Sequence, residues 1–461
     1  MSEPKACDLS TDMPVRNIFE ILSARVASSH AARLGRLSIP GRRPIETPNY
    51  TAITSRGAIP HLTPDNVTKH TDLSSAYMAL EDFVERKEPP IYNTPQHATL
   101  RRLHNFTALA PDRTTILAAR RSPAVVTPMG NGVRAVTMFT STGFATVDVA
   151  QYVAAVETLQ PDVVVPLADS LHTSRTPASN KLIKMVGRTE EWVDDFLRRF
   201  ESREHLDELG ISVFAPVLPV EMPIQWDYLR HLAEDVTDRL SGLAIYDANL
   251  LPELDQYKSL VPLPKLSLDQ SESPHHVLRQ VSLGVDLCGV SFVNSTSDAG
   301  IALTFTFPPP PTPSPSADGN SGASPQPLGI NSWADEHSAA VVPLQEGCEC
   351  YACTHHHRAY VKHLLNAREM LGWNLLQMHN YHVLDKFFEG IRAELSNGVD
   401  EFEKSRMAFL AAYEPELPQG TGERPRARGY HFKSEAGQDK INKSTWVSGC
   451  EDPKNAAEGV S

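Results

Sequence analysis

Three cysteines and one histidine toward the carboxyl-terminal part of the chain have the spacing of a metal site. Cys348, Cys350 and Cys353 fall within six residues, and His379 follows after twenty-five residues without another cysteine. A tight turn of this kind brings three thiolates to one ion, and three thiolates with one imidazole form the closed tetrahedral site of structural zinc. Because four protein ligands leave no position for water, this zinc would stabilise the fold and would not act on a substrate.

Two amphipathic helices would position these ligands. Apolar residues recur at three- and four-residue spacing from Tyr360 to Leu371, which predicts a first helix that ends at Gly372. A second helix would return antiparallel to the first, toward the cysteines, with His379 on its inward face. The apolar residues on that face are Leu376, Val383, Phe387 and Ile391.

Other histidines compete for the fourth ligand position. A lone histidine on an apolar helix face is more often a core residue than a ligand, so the position of His379 does not settle its role. It is preferred because it combines inward placement with a full helix of separation from the cysteines. The competitors near the cysteine turn are His355, His356, His357, His363 and His382.

The composition favours a cytoplasmic protein. The chain has 461 residues, 41% of them hydrophobic, which is enough for one large domain with an appendage. The remaining cysteines, Cys7, Cys288 and Cys450, give no disulfide framework. We find no basic and apolar leader and no apolar run of the ~18 residues that a membrane helix needs, so any association with an organelle surface would be peripheral. A net charge of -13 argues against nonspecific coating of nucleic acid but permits a local basic face.

Composition also divides the chain into five parts. Residues 1–15 are polar, residues 308–342 start with a proline-rich run and continue in Gly, Ser and Asn, and residues 414–461 lose all hydrophobic periodicity. Such segments bury too little apolar surface to offset the entropy of ordering, so we predict that all three are disordered. The folded parts are then residues 16–307 and a metal-binding segment with closing helices, 343–413.

Residues 16–307 alternate short β-rich runs with helical patterns. This alternation is typical of an α/β fold with a parallel sheet covered by helices, and the number of elements favours a closed TIM (β/α)8 barrel over an open sheet. The metal-binding helices would be a carboxyl-terminal appendage. The predicted strands are 51–54, 124–127, 135–139, 162–166, 212–217, 242–246, 284–290 and 303–307, and the predicted helices are 75–86, 149–159, 190–200, 223–240 and 274–282.

Several motifs resemble those of the tRNA-guanine transglycosylases. The cysteine turn continues as RAYVKHLL (358–365), and with MHN (378–380) it resembles the carboxyl-terminal signature of that family. Weaker likenesses are ARLGRL (32–37) to its opening hairpin, SGLA (241–244) to its substrate-pocket strand and GVDL (284–287) to the strand of its nucleophile. The resemblance implies a TIM barrel with a zinc subdomain. It also implies exchange of guanine at the tRNA wobble position for a deazaguanine such as queuine, through an aspartate that attacks the ribose.

The chain departs from this family where the chemistry would take place. The position of the nucleophilic aspartate is Gly289, which has no side chain to attack with. The region of the second catalytic aspartate, 115–126, contains no acid, and the Gln-Gly pair that holds the base is missing near 213–216. Asp169, in LADS (167–170), matches the base-recognition aspartate of the family. We interpret it as part of a vestigial base pocket, or as a structural acid at a strand end.

Loss of the nucleophile with retention of the zinc signature resembles the non-catalytic branch of the family. This implies that the chain is an accessory subunit, forms a heterodimer with a catalytic subunit and helps to hold tRNA while the partner exchanges the base. Arg358, Lys362 and His363, on the expected exposed side of the first zinc helix, are candidate tRNA contacts. Cations on an exposed helix commonly form only a solvated surface, so a tRNA contact and a solvated face both stay open.

Two other functions fit part of the pattern. One is an active homodimeric transglycosylase with a different carboxylate, for which Asp286 and Asp298 are the acids nearest in sequence to Gly289. Exchange of guanine by this chain alone would support it. The other is a zinc-stabilised barrel that serves only as an interaction scaffold, which absence of a catalytic partner would support.

Overall fold

The computed structural model describes residues 18–22, 31–84, 88–95, 97, 100–125, 130–140, 143–170, 177–200, 202–310 and 324–422. The predicted disordered segment 1–15 lies outside them. The strands are β1 (Phe19–Ile21), β2 (Gly35–Leu37), β3 (Ile45–Thr47), β4 (Asn49–Ile53), β5 (Ser75–Ala79), β6 (Thr114–Ala118), β7 (Ala135–Thr140), β8 (Gly143–Asp148), β9 (Val163–Val164), β10 (Ser212–Val217), β11 (Gly242–Ile245), β12 (Lys265–Ser271), β13 (Leu287–Val290), β14 (Ile301–Leu303) and β15 (Gly329–Asn331).

Helices cover the outside of these strands and form the carboxyl-terminal part. They are α1 (Pro64–His70), α2 (Arg102–Thr107), α3 (Val149–Leu159), α4 (Ser179–Arg199), α5 (Arg203–Leu209), α6 (Met222–Glu234), α7 (Pro274–Ser282), α8 (Phe292–Asp298), α9 (Tyr351–His355), α10 (Arg358–Asn366), α11 (Met370–Asn397) and α12 (Val399–Ala412). Short 3-10 turns lie between several of them. Among the described residues, no helix is both long and apolar enough to span a membrane.

Eight parallel strands close into a barrel in the order β4-β5-β6-β9-β10-β11-β12-β13, and β13 pairs with β4. The fold prediction of a TIM-type barrel is confirmed. Alternate residues separate the two faces: Ile53, Ile116 and Leu287 belong to the cluster inside the barrel, whereas Ala52 and Leu117 pack in the shell between strands and helices. The antiparallel sheet of β1, β2 and β3 packs onto the inner cluster through Phe19, Leu37 and Ile45.

Several element predictions are wrong. Residues 75–79 form β5 although they were expected to be helical, because a strand buried on both faces has a continuous apolar run without period. Strand β6 was not predicted for the same reason, and β12 was missed although Leu266 and Leu268 alternate with polar residues. Residues 135–139 lie in β7, which pairs with β8 in a hairpin outside the barrel. Strand β14 pairs with β15 and does not enter the barrel.

The expected disorder is also wrong for part of the chain. Residues 324–342 contain β15 and a 3-10 turn, and Leu328 is fully buried. Residues 414–422 are ordered as well: Glu414 N–H donates to the Gln326 carbonyl at 2.9 Å, and Asn331 donates to Thr421 at 2.9 Å. These long-range contacts order segments whose composition is that of a loop. Residues 311–323 and 423–461 lie outside the described part.

A buried charge cluster closes one end of the barrel. Arg33 donates from Nε and Nη2 to both carboxylate oxygens of Asp286 at 2.9 and 2.7 Å. Lys265, fully buried beside this pair, donates from Nζ to the Val261 carbonyl at 3.0 Å. Burial, and next the charge of Arg33, lowers the pKa of Lys265 from 10.5 to about 7.

We predict that stability increases with pH because of Lys265. Between the folded pKa of about 7 and the unfolded value of 10.5, the unfolded chain binds one more proton, so stability rises with pH in this window. From pH 7 to 10 the free energy of unfolding of the wild type should gain ~3 kcal/mol over that of Lys265→Met. Urea denaturation at four pH values measures this. Lys258→Met, at an exposed lysine, is the control and should run parallel to the wild type. A parallel curve for Lys265→Met would contradict the buried-lysine interpretation.

Candidate metal centre and barrel mouth

The four predicted metal ligands lie together beside α9. The Sγ atoms of Cys348, Cys350 and Cys353 are 3.6, 3.4 and 3.4 Å from Nδ1 of His379. All four ligand atoms lie within 4.8 Å of one another, so the group could hold a metal ion. Metal bonds of about 2.3 Å to sulfur and 2.0–2.1 Å to nitrogen at tetrahedral angles place S and N about 3.6 Å apart, which fits these distances.

His379 is oriented by a second hydrogen bond. Its ring is fully buried in α11, and Nε2 lies 2.8 Å from the carbonyl oxygen of Leu303 at the end of β14. Because a carbonyl only accepts, Nε2 carries the proton and Nδ1 is left with a free lone pair toward the three sulfurs. None of the five competing histidines belongs to the group that could hold a metal among the described residues.

The helix that follows the cysteines ends earlier than predicted. α10 stops at Asn366, and Gly372 lies inside α11. A Cβ on Gly372 would be 3.2 Å from Cβ of Leu364, so the glycine permits the close approach of the two helices. The predicted breaker therefore acts as a packing position.

Two of the three candidate tRNA contacts in α10 are engaged within the fold. The guanidinium of Arg358 donates to the carbonyls of Pro343 and Leu344 at 2.9 and 3.0 Å. Lys362 is only 5% exposed and its Nζ lies 2.7 Å from Oδ1 of Asp335, so its expected place on the exposed side is wrong. His363 is exposed, as predicted.

Gly289 faces the barrel interior on β13. Its neighbour Leu287 belongs to the inner cluster and Cys288 to the outer one, so alternation turns position 289 inward. A Cβ at this position would meet the Ser267 carbonyl oxygen at 2.9 Å, which is too close without a backbone shift. The neighbouring strand thus occupies the space that a side chain would need.

Asp169, the acid matched to base recognition, is already bonded within the protein. Its carboxylate accepts from Asn131 Nδ2 and Arg188 Nη1, both at 2.8 Å, and it is 1% exposed. Burial raises the pKa of Asp169, and the Asn131 hydrogen bond and the charge of Arg188 oppose this rise. The structure therefore gives the carboxylate partners other than a base.

Two arginines directly after β6 were not among the predicted site residues. Arg120 donates from Nη2 to Asn131 Oδ1 at 2.6 Å and to the Thr137 carbonyl at 2.5 Å, which links it to Asp169 through Asn131. Arg121 forms an ion pair with Asp82. The arginine pair in 115–126 was visible, but without β6 it could not be placed at the barrel mouth. This region, where an acid was sought, thus supplies cations.

Comparisons with known proteins agree with the motifs and the fold. The family model described as queuine tRNA-ribosyltransferase matches residues 28–415. The chain is 32% identical over 425 residues to the queuine tRNA-ribosyltransferase accessory subunit 2 of Schizosaccharomyces pombe, covering 92% of this chain and 91% of that protein. The accessory subunits 2 of Anopheles gambiae and Xenopus tropicalis are 29% and 26% identical, with 80% of this chain covered in each case and 85% and 95% of those proteins.

We predict that His379→Ala removes the bound metal. Loss of the only nitrogen ligand in the group should lower the metal content, measured by elemental mass spectrometry, from about one ion per chain to a small fraction of that. The melting temperature should fall to that of the wild type treated with a chelator. His363→Ala, at an exposed histidine of the same subdomain, should keep both values. Equal metal in the wild type and His379→Ala would exclude this ligand set.

Proposed function

Because this chain belongs to the queuine tRNA-ribosyltransferase family, we propose that it is the non-catalytic subunit of a heteromeric enzyme. The complex would exchange guanine for queuine at wobble position 34 of tRNAs with GUN anticodons, and this subunit would support assembly and tRNA binding. The observation that carries the proposal is Gly289, at the inward position on β13 where attack on the ribose needs a carboxylate.

The nearby acids are poor replacements for the missing nucleophile. Asp286 is fully buried, and both its oxygens are held by Arg33. Asp169 is bonded to Asn131 and Arg188. A carboxylate that attacks a sugar must be ionised and accessible, and these contacts remove accessibility. Loss of the nucleophile from a cooperating catalytic site typically lowers the rate by about four to six powers of ten.

The metal of this subunit would be one structural zinc ion. Three cysteines and one histidine match the preference of zinc for thiolate and imidazole ligands, and the set is complete without water. When bound, zinc would hold the cysteine turn against α11. The residues themselves orient the site, since His379 is fixed by the carbonyl of Leu303.

We place the contact with the catalytic partner on the surface around this metal site. Five of the large hydrophobic residues that are exposed in the described chain fall within residues 341–371, a concentration typical of an interface. Aromatic rings of the same segment stack in pairs: Tyr351 stacks on His355 with centroids 4.5 Å apart, and His356 stacks on Tyr360 at 5.2 Å. The five hydrophobic residues are Val341 (74%), Val342 (48%), Tyr351 (38%), Met370 (52%) and Leu371 (44%).

A charge on this surface should prevent assembly without unfolding the chain. We expect the double variant Val341→Asp/Leu371→Asp to lose co-elution with the catalytic subunit in size-exclusion chromatography with light scattering. A desolvated charge at an interface is strongly unfavourable, whereas an exposed one costs the free subunit little. Met407→Asp, at a 57% exposed residue of α12, should still assemble. If the double variant keeps its metal and still assembles, the interface lies on another surface.

Exchange of labelled queuine into tRNA tests the proposed function. We expect incorporation with both subunits together and none with this chain alone. Gly289→Asp should not create activity in this chain, because its Cβ would lie 2.9 Å from the Ser267 carbonyl, and Gly289→Ala should lower the free energy of unfolding by ~1–3 kcal/mol for the same reason. Exchange by the unmodified chain alone would establish an active homodimer. Absence of both assembly and stimulation would leave the scaffold function.

A further inference from the structure

The first three turns of α4 carry a stripe of cations. Lys181, Lys184 and Arg188 are three and four residues apart, so they lie on one face of the helix. Both lysines are exposed. No acidic residue occupies the first turn, and acids begin only at Glu190. Cations therefore occupy the amino-terminal part of α4, acids follow from Glu190 onward, and Arg198 and Arg199 end the helix.

Helix stability does not explain this order. The amino-terminal end of a helix carries a partial positive charge, which favours acids there and disfavours lysines by a few tenths of a kcal/mol each. The N-cap residue, Ala178, offers no side-chain acceptor that would offset this charge. The lysines thus add to the positive potential of the helix end, an arrangement that suits an external anion.

The stripe is continuous with the cations of the barrel mouth. Arg188 forms an ion pair with Asp169 at 2.8 Å, and Asn131 connects the same carboxylate to Arg120. Lys181 is close enough to Asp169 to act on its charge. Three cations therefore act on the charge of this one buried acid, and Lys184 extends the stripe along the same face of α4. We call these four cations, Arg120, Lys181, Lys184 and Arg188, the α4 rim.

Two polar groups at the mouth have no hydrogen-bond partner within the described residues. They are Nε of Arg120 and the hydroxyl of Ser170, which is 4% exposed. Nη1 of Arg120 also lies 3.4 Å from the Ser170 carbonyl oxygen, so the two residues are neighbours. Unpaired buried donors are costly, and an anion at the mouth would satisfy them.

We propose that the α4 rim binds phosphates of the tRNA backbone, an inference that rests on the proposed function and gives it a surface. In a chain of net charge -13, a local positive surface is the one to which an RNA polyanion is drawn, while the remaining surface repels it. The contacts are to phosphate and carry no base sequence, so they position the tRNA and leave recognition of the anticodon to the catalytic partner. The mouth that lacks a nucleophile thereby becomes a binding surface.

The test is the double variant Lys181→Ala/Lys184→Ala in the full chain. Fluorescence anisotropy with labelled tRNA, at several salt concentrations, should show weaker binding that is uniform across tRNAs. The slope of log K against log salt should fall by about 2, one for each lost phosphate contact. Alanine suits a helix better than lysine at this end, so weaker binding would not be due to loss of α4.

The matched control is Lys386→Ala/Lys404→Ala, which removes the same charge from α11 and α12 at residues 57% and 70% exposed. It should bind tRNA as the wild type does. Equal weakening in both double variants would assign the loss to net charge and overturn the proposal, as would unchanged binding in Lys181→Ala/Lys184→Ala. Weakening for only one tRNA would indicate base recognition. Vesicles with phosphatidylserine, if they alone respond to the rim lysines, would assign the surface to lipid.

Failure of this inference and failure of the proposed function give different results. Co-elution with the catalytic subunit is measured for the wild type and for the two lysine double variants, and Val341→Asp/Leu371→Asp is included as a fourth sample. If the wild type assembles with the catalytic subunit but the rim substitutions leave tRNA binding unchanged, the inference alone is wrong. If the wild type neither assembles nor stimulates exchange, the proposed function is wrong, and the tRNA measurement on the chain alone still decides the role of the rim.

Discussion

Helix α11 is held on the barrel by buried polar side chains, and the metal site depends on this attachment. Asn380 accepts from the Leu303 N–H at 2.8 Å, and His379 donates to the carbonyl of the same residue at 2.8 Å. One turn earlier, Gln377 donates to Asn294 at 2.7 Å, and Asn294 donates to the carbonyl of Ile53 in β4 at 2.9 Å. A buried polar group without its partner costs ~1–3 kcal/mol, so these bonds fix the register of α11. The cysteine turn is thereby held at one place relative to the barrel wall.

The same attachment connects α11 to the packing around Gly289. Ile53, whose carbonyl receives the bond from Asn294, also packs its Cδ1 3.7 Å from the point where a Cβ of Gly289 would lie. The barrel interior is therefore packed around a glycine, and a carboxylate there would displace the β12 backbone. The outer surfaces of the subdomain are independent of this change, which leaves its exposed hydrophobic residues available for a partner. The proposed assembly surface and the barrel interior thus lie on different sides of the same strands and helices.

The distribution of charge is a further feature of the barrel mouth. The net charge is negative, yet the arginines after β6 and the first turns of α4 meet at the barrel mouth. Asp169, which the family resemblance assigns to base recognition, is used here to hold Arg188 and, through Asn131, Arg120. In this structure the contacts of Asp169 are therefore those of a structural acid. Cations and acids thus alternate at the mouth, where Arg120 and Arg188 share Asp169 and Arg121 pairs with Asp82.

Local patterns were enough for the ligand set and for the class of fold. Cysteine spacing is a property of a six-residue turn, and the inward position of His379 follows from helical periodicity, so both could be inferred without coordinates. The alternation of strands and helices also predicts a barrel. The alternation missed β5 and β6 because strands enclosed on both faces have no hydrophobic period to detect. It missed β12 because Lys265, Ser267 and Ser271 are polar residues buried in that strand.

Tertiary structure alone decided the contacts between distant segments. Residues 324–342 and 414–422 are ordered by partners far along the chain. Lys362 is buried where it pairs with Asp335, and Asp335 belongs to a segment whose composition predicts disorder. Arg120, Asp169 and Arg188 are separated by 49 and 19 positions and meet only because a closed barrel brings successive strand ends to one rim. Periodicity reports which face of an element is buried. It carries no information on which distant group will lie opposite, and ion pairs and hydrogen bonds depend on that group.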